Sequence, residues 1–206
     1  MFITFEGGEG SGKTNQIALL REWLERRNFR TLTTREPGGT PLGAKLRELL
    51  LDVRSQVEPS AELLLYAADR AQHVAALIRP ALQSGTIVLS DRYADSTLAY
   101  QGYGRGLDLA DLQQITAFAT GGLQPDLTFF LDIDPAQGLA RRAQDGALNR
   151  LDAQSLAFHQ RVRSGYLALI AAQPERWVRI DADQPLAVVQ GTIVAVVEER
   201  LILRQG

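Results

Sequence analysis

Residues 7–14 read Gly7-Gly8-Glu9-Gly10-Ser11-Gly12-Lys13-Thr14, between a short apolar run at 2–5 and an amphipathic stretch at 12–27. This is a complete G-x-x-x-x-G-K-[ST] pattern in the context it requires, a strand entering the loop and a helix leaving it. Glycines let consecutive backbone N–H groups turn inward around phosphate oxygens with no side chain in the way. The helix adds its positive N-terminal end. Lys13 is expected to reach the β- and γ-phosphates of a nucleoside triphosphate, and the Thr14 hydroxyl to ligate Mg²⁺. Gly7, Gly8, Glu9, Gly10, Ser11, Gly12, Lys13 and Thr14 are therefore the expected ATP-binding residues. The motif alone leaves open which kind of phosphate-loop protein this is.

The rest of the chain alternates short apolar runs with longer amphipathic stretches, the pattern of strand–helix units on a parallel sheet. Strands are expected at 2–5, 30–34, 86–90, 127–131 and 177–180. Helices are expected at 12–27, 41–51, 61–81, 109–120, 154–172 and 185–204. Asp108 reads as an N-cap and Gly85 as a helix-ending glycine, while Pro59-Ser60 and Gly121-Gly122 read as loops inside one domain, 1–206. With no cysteine there is no disulfide framework and no cysteine-ligated metal. A net charge of −2 provides no general basic surface for duplex nucleic acid. No apolar run approaches the roughly 18 residues of a membrane helix, and the N-terminus lacks a signal-peptide pattern. The expectation is a cytoplasmic protein with neither nucleic acid nor membrane as partner.

Ligands of open parallel sheets bind at the carboxyl ends of the strands, so the residues just after each strand bear on chemistry. The third strand runs into Asp91-Arg92-Tyr93, then Ala94-Asp95-Ser96-Thr97-Leu98-Ala99-Tyr100-Gln101. A carboxylate here suits a magnesium ion or its waters, and the adjacent arginine can fork onto a phosphate. Asp91 joins Thr14 as a metal candidate.

Four segments in order, Phe5 through Thr14, Arg35-Glu36-Pro37-Gly38-Gly39-Thr40, Leu65-Tyr66-Ala67-Ala68-Asp69-Arg70 and Asp91 through Gly102, resemble the bacterial thymidylate kinase family nearly end to end. The resemblance implies an α/β fold: a P-loop NTPase three-layer fold with a five-stranded parallel sheet flanked by helices and a mobile lid at about 136–151. It implies ATP-dependent phosphorylation of dTMP to dTDP with Mg²⁺, in a homodimer. By the same resemblance Glu9 holds the sugar 3′-hydroxyl, Arg70 reaches a thymine carbonyl and Tyr66, commonly phenylalanine in the family, stacks on the base. Arg35 and Arg92 clamp the acceptor phosphate, and Ser96, Thr97, Tyr100 and Gln101 line sugar and base, with Tyr100 placed to exclude a ribose 2′-hydroxyl.

The phosphate loop carries no arginine, so the charge of the transferred group is expected to be met from the lid, by Arg141 first and Arg150 next. Arg142 points elsewhere, since neighbouring helical residues diverge by about 100°. Asp145 is a candidate partner for Arg141 or Arg142 while the lid is open. With Lys13 and Arg92, these arginines form the expected catalytic set. A kinase for another nucleoside or monophosphate would lack the Glu9, Tyr66 and Arg70 set. A GTP-dependent switch would carry an Asn-Lys-x-Asp tetrad, which the sequence does not contain.

Overall fold

A computed structural model of the chain describes residues 1–144, 146 and 148–203. Its centre is an all-parallel five-stranded sheet in the order β2-β3-β1-β4-β5, from β1 (Phe2–Glu6), β2 (Thr31–Arg35), β3 (Ile87–Asp91), β4 (Leu127–Asp132) and β5 (Trp177–Asp181). β1 and β4 are buried at every position, as interior strands covered on both faces must be. β2 is half exposed at one edge. One core, including Leu20, Leu24, Phe129, Ile193 and Val197, packs α1 (Lys13–Glu25) and α9 (Leu186–Leu203) on the sheet. A second, built on Tyr100, Phe130, Phe158, Tyr166 and Trp177, joins α8 (Leu156–Ala172) to the sheet.

Local chemistry sets the ends of the helices. Thr40 caps α2 (Pro41–Leu51) by accepting from Gly43 N at 3.0 Å. Asp108 caps α6 (Leu109–Thr120) through Ala110 N and Asp111 N, at 2.8 and 3.1 Å. Gly121, at φ 55°, ends α6 in the left-handed conformation that glycine adopts without penalty.

Five strands and six helices stand where periodicity places them, with two differences. Pro59 and Ser60, expected as loop, open α3 (Pro59–His73), where proline costs no helical hydrogen bond. The helix then continues through a π-helical Val74–Ile78 into α4 (Arg79–Gln83). The segment after β3, read for chemistry alone, is helical as well: α5 (Ala94–Thr97) passes into a π-helical Leu98–Gly104. α7 (Pro135–Gln144) opens the segment expected to form the lid. Arg204, the expected end of the last helix, and Asp145 lie outside the described residues.

Candidate active site

The phosphate loop leaves the carboxyl end of central β1, beside Asp91 on β3. Lys13 is folded back onto the loop, donating from Nζ to Gly8 O at 2.9 Å, Gly7 O at 3.2 Å and Ser11 Oγ at 3.2 Å. Burial lowers its pKa, Arg92 adding to the effect and Asp91 opposing it. Thr14 Oγ1 donates to Asp91 Oδ2 at 3.1 Å, which brings the two metal candidates together at the solvent side of the loop. The loop also meets α7 backbone to backbone: a Cβ at Gly10 would collide with Gly138 O, and one at Gly138 with Glu9 O.

Beyond the loop lies a cleft in two compartments. The deep one, about 560 Å³ with its mouth, is lined by Tyr66, Arg70, Thr97, Tyr100 and Gln101 among others. The outer one, about 970 Å³, is lined by the phosphate loop with Thr14, Arg35, Asp91 and Arg142. Glu9, Glu36, Arg47, Arg92 and Asn149 face both compartments.

Arg92 stands at the junction of the two. Its backbone is left-handed, φ 71°, a conformation costing an ordinary residue roughly 1–2 kcal/mol and kept only where surrounding bonds impose it. Here Arg92 N donates to Phe5 O at 2.9 Å and Tyr93 N to Glu6 Oε1 at 2.8 Å. The guanidinium donates to Glu9 Oε1 at 2.8 Å and Gly7 O at 2.9 Å, above the Tyr100 ring. Tyr100 OH donates to the same Glu9 oxygen at 2.9 Å. Burial raises the pKa of Glu9, but Arg92, Lys13 and the Tyr100 bond outweigh it and hold the carboxyl below its ordinary value.

Arg70 lies at the floor of the deep compartment, almost fully buried. Its Nε donates to Glu36 Oε2 at 2.8 Å, and its two terminal nitrogens to Thr97 Oγ1 at 2.9 Å and Tyr93 O at 3.1 Å. Glu36 is held in turn by His73 Nδ1 at 2.9 Å. Tyr66 lines the same compartment, and burial raises its phenol pKa. Ser96, Thr97, Tyr100 and Gln101 all line it as expected. Arg35 is exposed and lines the outer compartment, level with Asp91 on the neighbouring strand.

The lid differs from expectation. Arg141, expected first, turns away from the cleft and donates to Ala182 O at 3.0 Å and Asp183 Oδ1 at 2.6 Å. Arg150, expected next, is buried against Leu50 O at 2.8 Å and Glu62 Oε2 at 2.6 Å. Neither lines either compartment. Arg142, set aside on helical geometry, is the lid arginine that does; it pairs with Asp152 at 3.2 Å. The two neighbours diverge as helical geometry requires, and of the pair it is Arg142 that lines the outer compartment.

Three further residues belong to the site without being read from sequence. Arg47, on α2, donates to Pro37 O at 2.9 Å and faces both compartments. Glu6, fully buried at the end of β1, accepts from Tyr93 N at 2.8 Å, Ser96 Oγ at 2.5 Å and Tyr166 OH at 2.8 Å. Both hydroxyls also contact the Arg92 guanidinium at 3.3 Å, so Glu6 supports Arg92 from behind. Glu62, also fully buried, gathers Gln101, Arg105 and Arg150.

A phosphate loop and an arginine-lined second compartment on a 2-3-1-4-5 parallel sheet define a P-loop nucleoside monophosphate kinase. Comparison with known proteins narrows the class. The thymidylate kinase family model matches residues 5–193. A thymidylate kinase of Gloeobacter violaceus is 60% identical over 184 residues, 88% of this chain and 87% of that relative. One from Deinococcus radiodurans is 53% identical over 200 residues, 97% of each. The crystal structure of the Ehrlichia chaffeensis thymidylate kinase, 34% identical, superimposes with a TM-score of 0.79 over 96% of this chain and 98% of that one. The chain belongs to the thymidylate kinase family, and its reaction is the ATP-dependent phosphorylation of dTMP to dTDP, on the route to dTTP.

Proposed function

We propose that the deep compartment holds dTMP and the outer one the triphosphate of ATP, so that donor and acceptor phosphates meet at Arg92. The observation that carries this reading is the position of Arg92, Arg47 and Glu9, which face both compartments at once. A phosphate monoester is already anionic, its second pKa near 6, so no strong general base is needed. The obstacle is charge: two like unit charges 4 Å apart repel by about 1 kcal/mol in water and about 4 at an effective dielectric of 20. Lys13, Arg35, Arg47, Arg92 and Arg142 oppose that repulsion, and the fixed compartments supply alignment.

Tyr66 stacks on the base, Arg70 and Gln101 meet its edge, Glu9 accepts from the 3′-hydroxyl, and Ser96, Thr97 and Tyr100 line the sugar. Thr14 and Asp91, which meet at 3.1 Å, would hold Mg²⁺, a hard ion bound by one or two carboxylates with phosphate oxygens and water, and it would supply positive charge against the donor phosphates. The lid spans about 136–151 within a single domain, 1–206. No helix among the described residues is long and apolar enough to cross a membrane, and the enzyme works in the cytoplasm. It forms a two-fold homodimer through α3 and α6, where Leu64 and Phe118 are 58% and 90% exposed; an exposed apolar face of this kind is a common mark of a protein interface.

A coupled assay with ATP and dTMP tests the division of the cleft. Base–aromatic stacking is worth roughly 1–3 kcal/mol, so Tyr66→Ala should raise KM for dTMP about tenfold or more and leave KM for ATP unchanged. A rise in KM for ATP with none for dTMP would assign the deep compartment to the wrong ligand.

A further inference from the structure

Glu62 touches neither compartment, yet it determines which atom Gln101 can show to the deep one. Its Oε1 accepts from Gln101 Nε2 at 2.8 Å and Arg105 Nε at 3.3 Å. Its Oε2 accepts from Arg105 at 3.2 Å and Arg150 at 2.6 Å. Burial opposes its charge, but the bonds from Arg105 and Gln101 prevail and hold the carboxyl below its ordinary pKa. An ionised carboxylate accepts hydrogen bonds and donates none. The amide arm of Gln101 facing it must therefore be the NH₂, which turns the carbonyl oxygen away. Gln101 is nearly fully buried but lines the deep compartment, and its Oε1 receives no hydrogen bond from any described residue.

The opposite polarity is fixed beside it. Three of the five N–H groups of Arg70 are committed, to Glu36, Thr97 and Tyr93 O, leaving one on each terminal nitrogen. Arg70 can offer only donors. The compartment thus presents a fixed donor and a fixed acceptor. A thymine ring answers both, with carbonyl acceptors on either side of its N3–H donor. Cytosine has the reverse pattern along that edge, an N3 acceptor and an amino donor.

We propose that Glu62 is a positioning residue for base selection: by holding the Gln101 amide in one orientation, it makes the deep compartment reject cytosine. This rests on the assignment of that compartment to dTMP. Released from Glu62, the Gln101 amide can turn over and present a donor to cytosine N3, while Arg70 still opposes the amino group, so discrimination falls without vanishing. Uracil carries the same edge as thymine and differs only by the methyl group. The dTMP-to-dUMP preference is therefore blind to the turn of Gln101.

The test measures kcat/KM for dTMP, dCMP and dUMP at saturating ATP, for the full chain and for Glu62→Gln, Gln101→Ala and the pair together. A well-formed pair at a base edge discriminates by roughly 1–3 kcal/mol. The dTMP-to-dCMP ratio should therefore drop about tenfold or more in Glu62→Gln, with the dTMP-to-dUMP ratio unmoved. Gln101→Ala should lower the same ratio, and adding Glu62→Gln to it should change the ratio no further. If Glu62→Gln does not fold because two guanidiniums lose their partner, Glu62→Gln/Arg105→Gln restores the charge balance and takes its place. A dTMP-to-dCMP ratio unchanged in the folded Glu62 variant or in Gln101→Ala overturns the proposal. So does an equal loss for all three acceptors, the sign of a merely structural role. A rise in KM for ATP alone would instead sink the assignment of the compartment, and this inference with it.

Discussion

Replacing Glu6 with glutamine should remove a pH dependence of stability that the site itself creates. Burial raises the Glu6 carboxyl from 4.5 to about 7; nearby Asp95 adds to this, while Arg92 and the bonds from Ser96 and Tyr166 oppose it. In the unfolded chain the group titrates near its ordinary value. Between pH 4.5 and 7 the folded protein therefore holds the extra proton, and stability falls as pH rises through that window. A displacement from 4.5 to about 7 corresponds to about 3 kcal/mol, most of it lost between pH 5 and pH 8. Asp69, raised to about 6 chiefly by burial and next by Glu36, acts with the same sign but is present in both proteins and cancels in the comparison. Urea denaturation of parent and Glu6→Gln at pH 5 and pH 8 gives the difference directly. The parent should lose about 2–3 kcal/mol more than the variant between the two pH values. Parallel losses would refute the reasoning. Activity should report the other side of the same group. Glu6 accepts from Tyr93 N on one oxygen and from both hydroxyls that contact Arg92 on the other. An amide has a single acceptor oxygen and must lose one side, so kcat/KM for dTMP should fall in a protein that remains folded.

Two further outcomes are expected. Arg142→Ala should lower kcat roughly 10²–10³-fold, as loss of a preorganised charge donor does, with KM for dTMP little changed, while Arg141→Ala stays within about threefold of the parent; steady-state kinetics on both variants decides the assignment. Phe118→Asp should convert the proposed dimer to a species near 22.6 kDa by light scattering, and a parent that is itself monomeric at micromolar concentration would remove the dimer.

The fold was largely legible because interior strands are continuous apolar runs, and 2–5 and 127–131 stood out as such. What the runs did not contain was their last residue. All five strands extend one position beyond the expected end, onto Glu6, Arg35, Asp91, Asp132 and Asp181. A hydropathy reading stops at a charge, yet the carboxyl edge of this sheet is where charge is held by ion pairs and hydrogen bonds. Glu6 escaped notice for that reason, although it adjoins the motif that opened the reading. The buried face of α3 repeats the point. Glu62, Tyr66, Asp69, Arg70 and His73 all lie inward at helical spacing. Polar residues at that spacing read as a solvated stripe, so the family pattern brought out Tyr66 and Arg70 but not Glu62. Burial turns such a stripe into a binding surface only because each charge has a partner on another element, and those partners are distant in sequence.

The spacing in α7 carries a signal that separates the two lid arginines without choosing between them. A glycine inside a helix costs about 1 kcal/mol relative to alanine, and usually has a packing reason. In Pro135–Gln144 that glycine is Gly138, and the reason is its backbone contact with Glu9 and Gly10. Position 138 therefore marks the line along which the helix meets the phosphate loop. Arg142 lies four residues on, about 40° to one side of that line, and Arg141 three residues on, about 60° to the other. The two diverge across the loop. One side is the cleft shared with Asp91 and Arg92, the other the turn after β5 that carries Ala182 and Asp183. Helical geometry alone separates the two arginines but leaves the direction undetermined, because the sequence does not say on which side of the loop the cleft opens. The strand order supplies that: β3 lies on one side of β1 and β4 with β5 on the other, which puts Arg142 on the side of the cleft and Arg141 at the far edge.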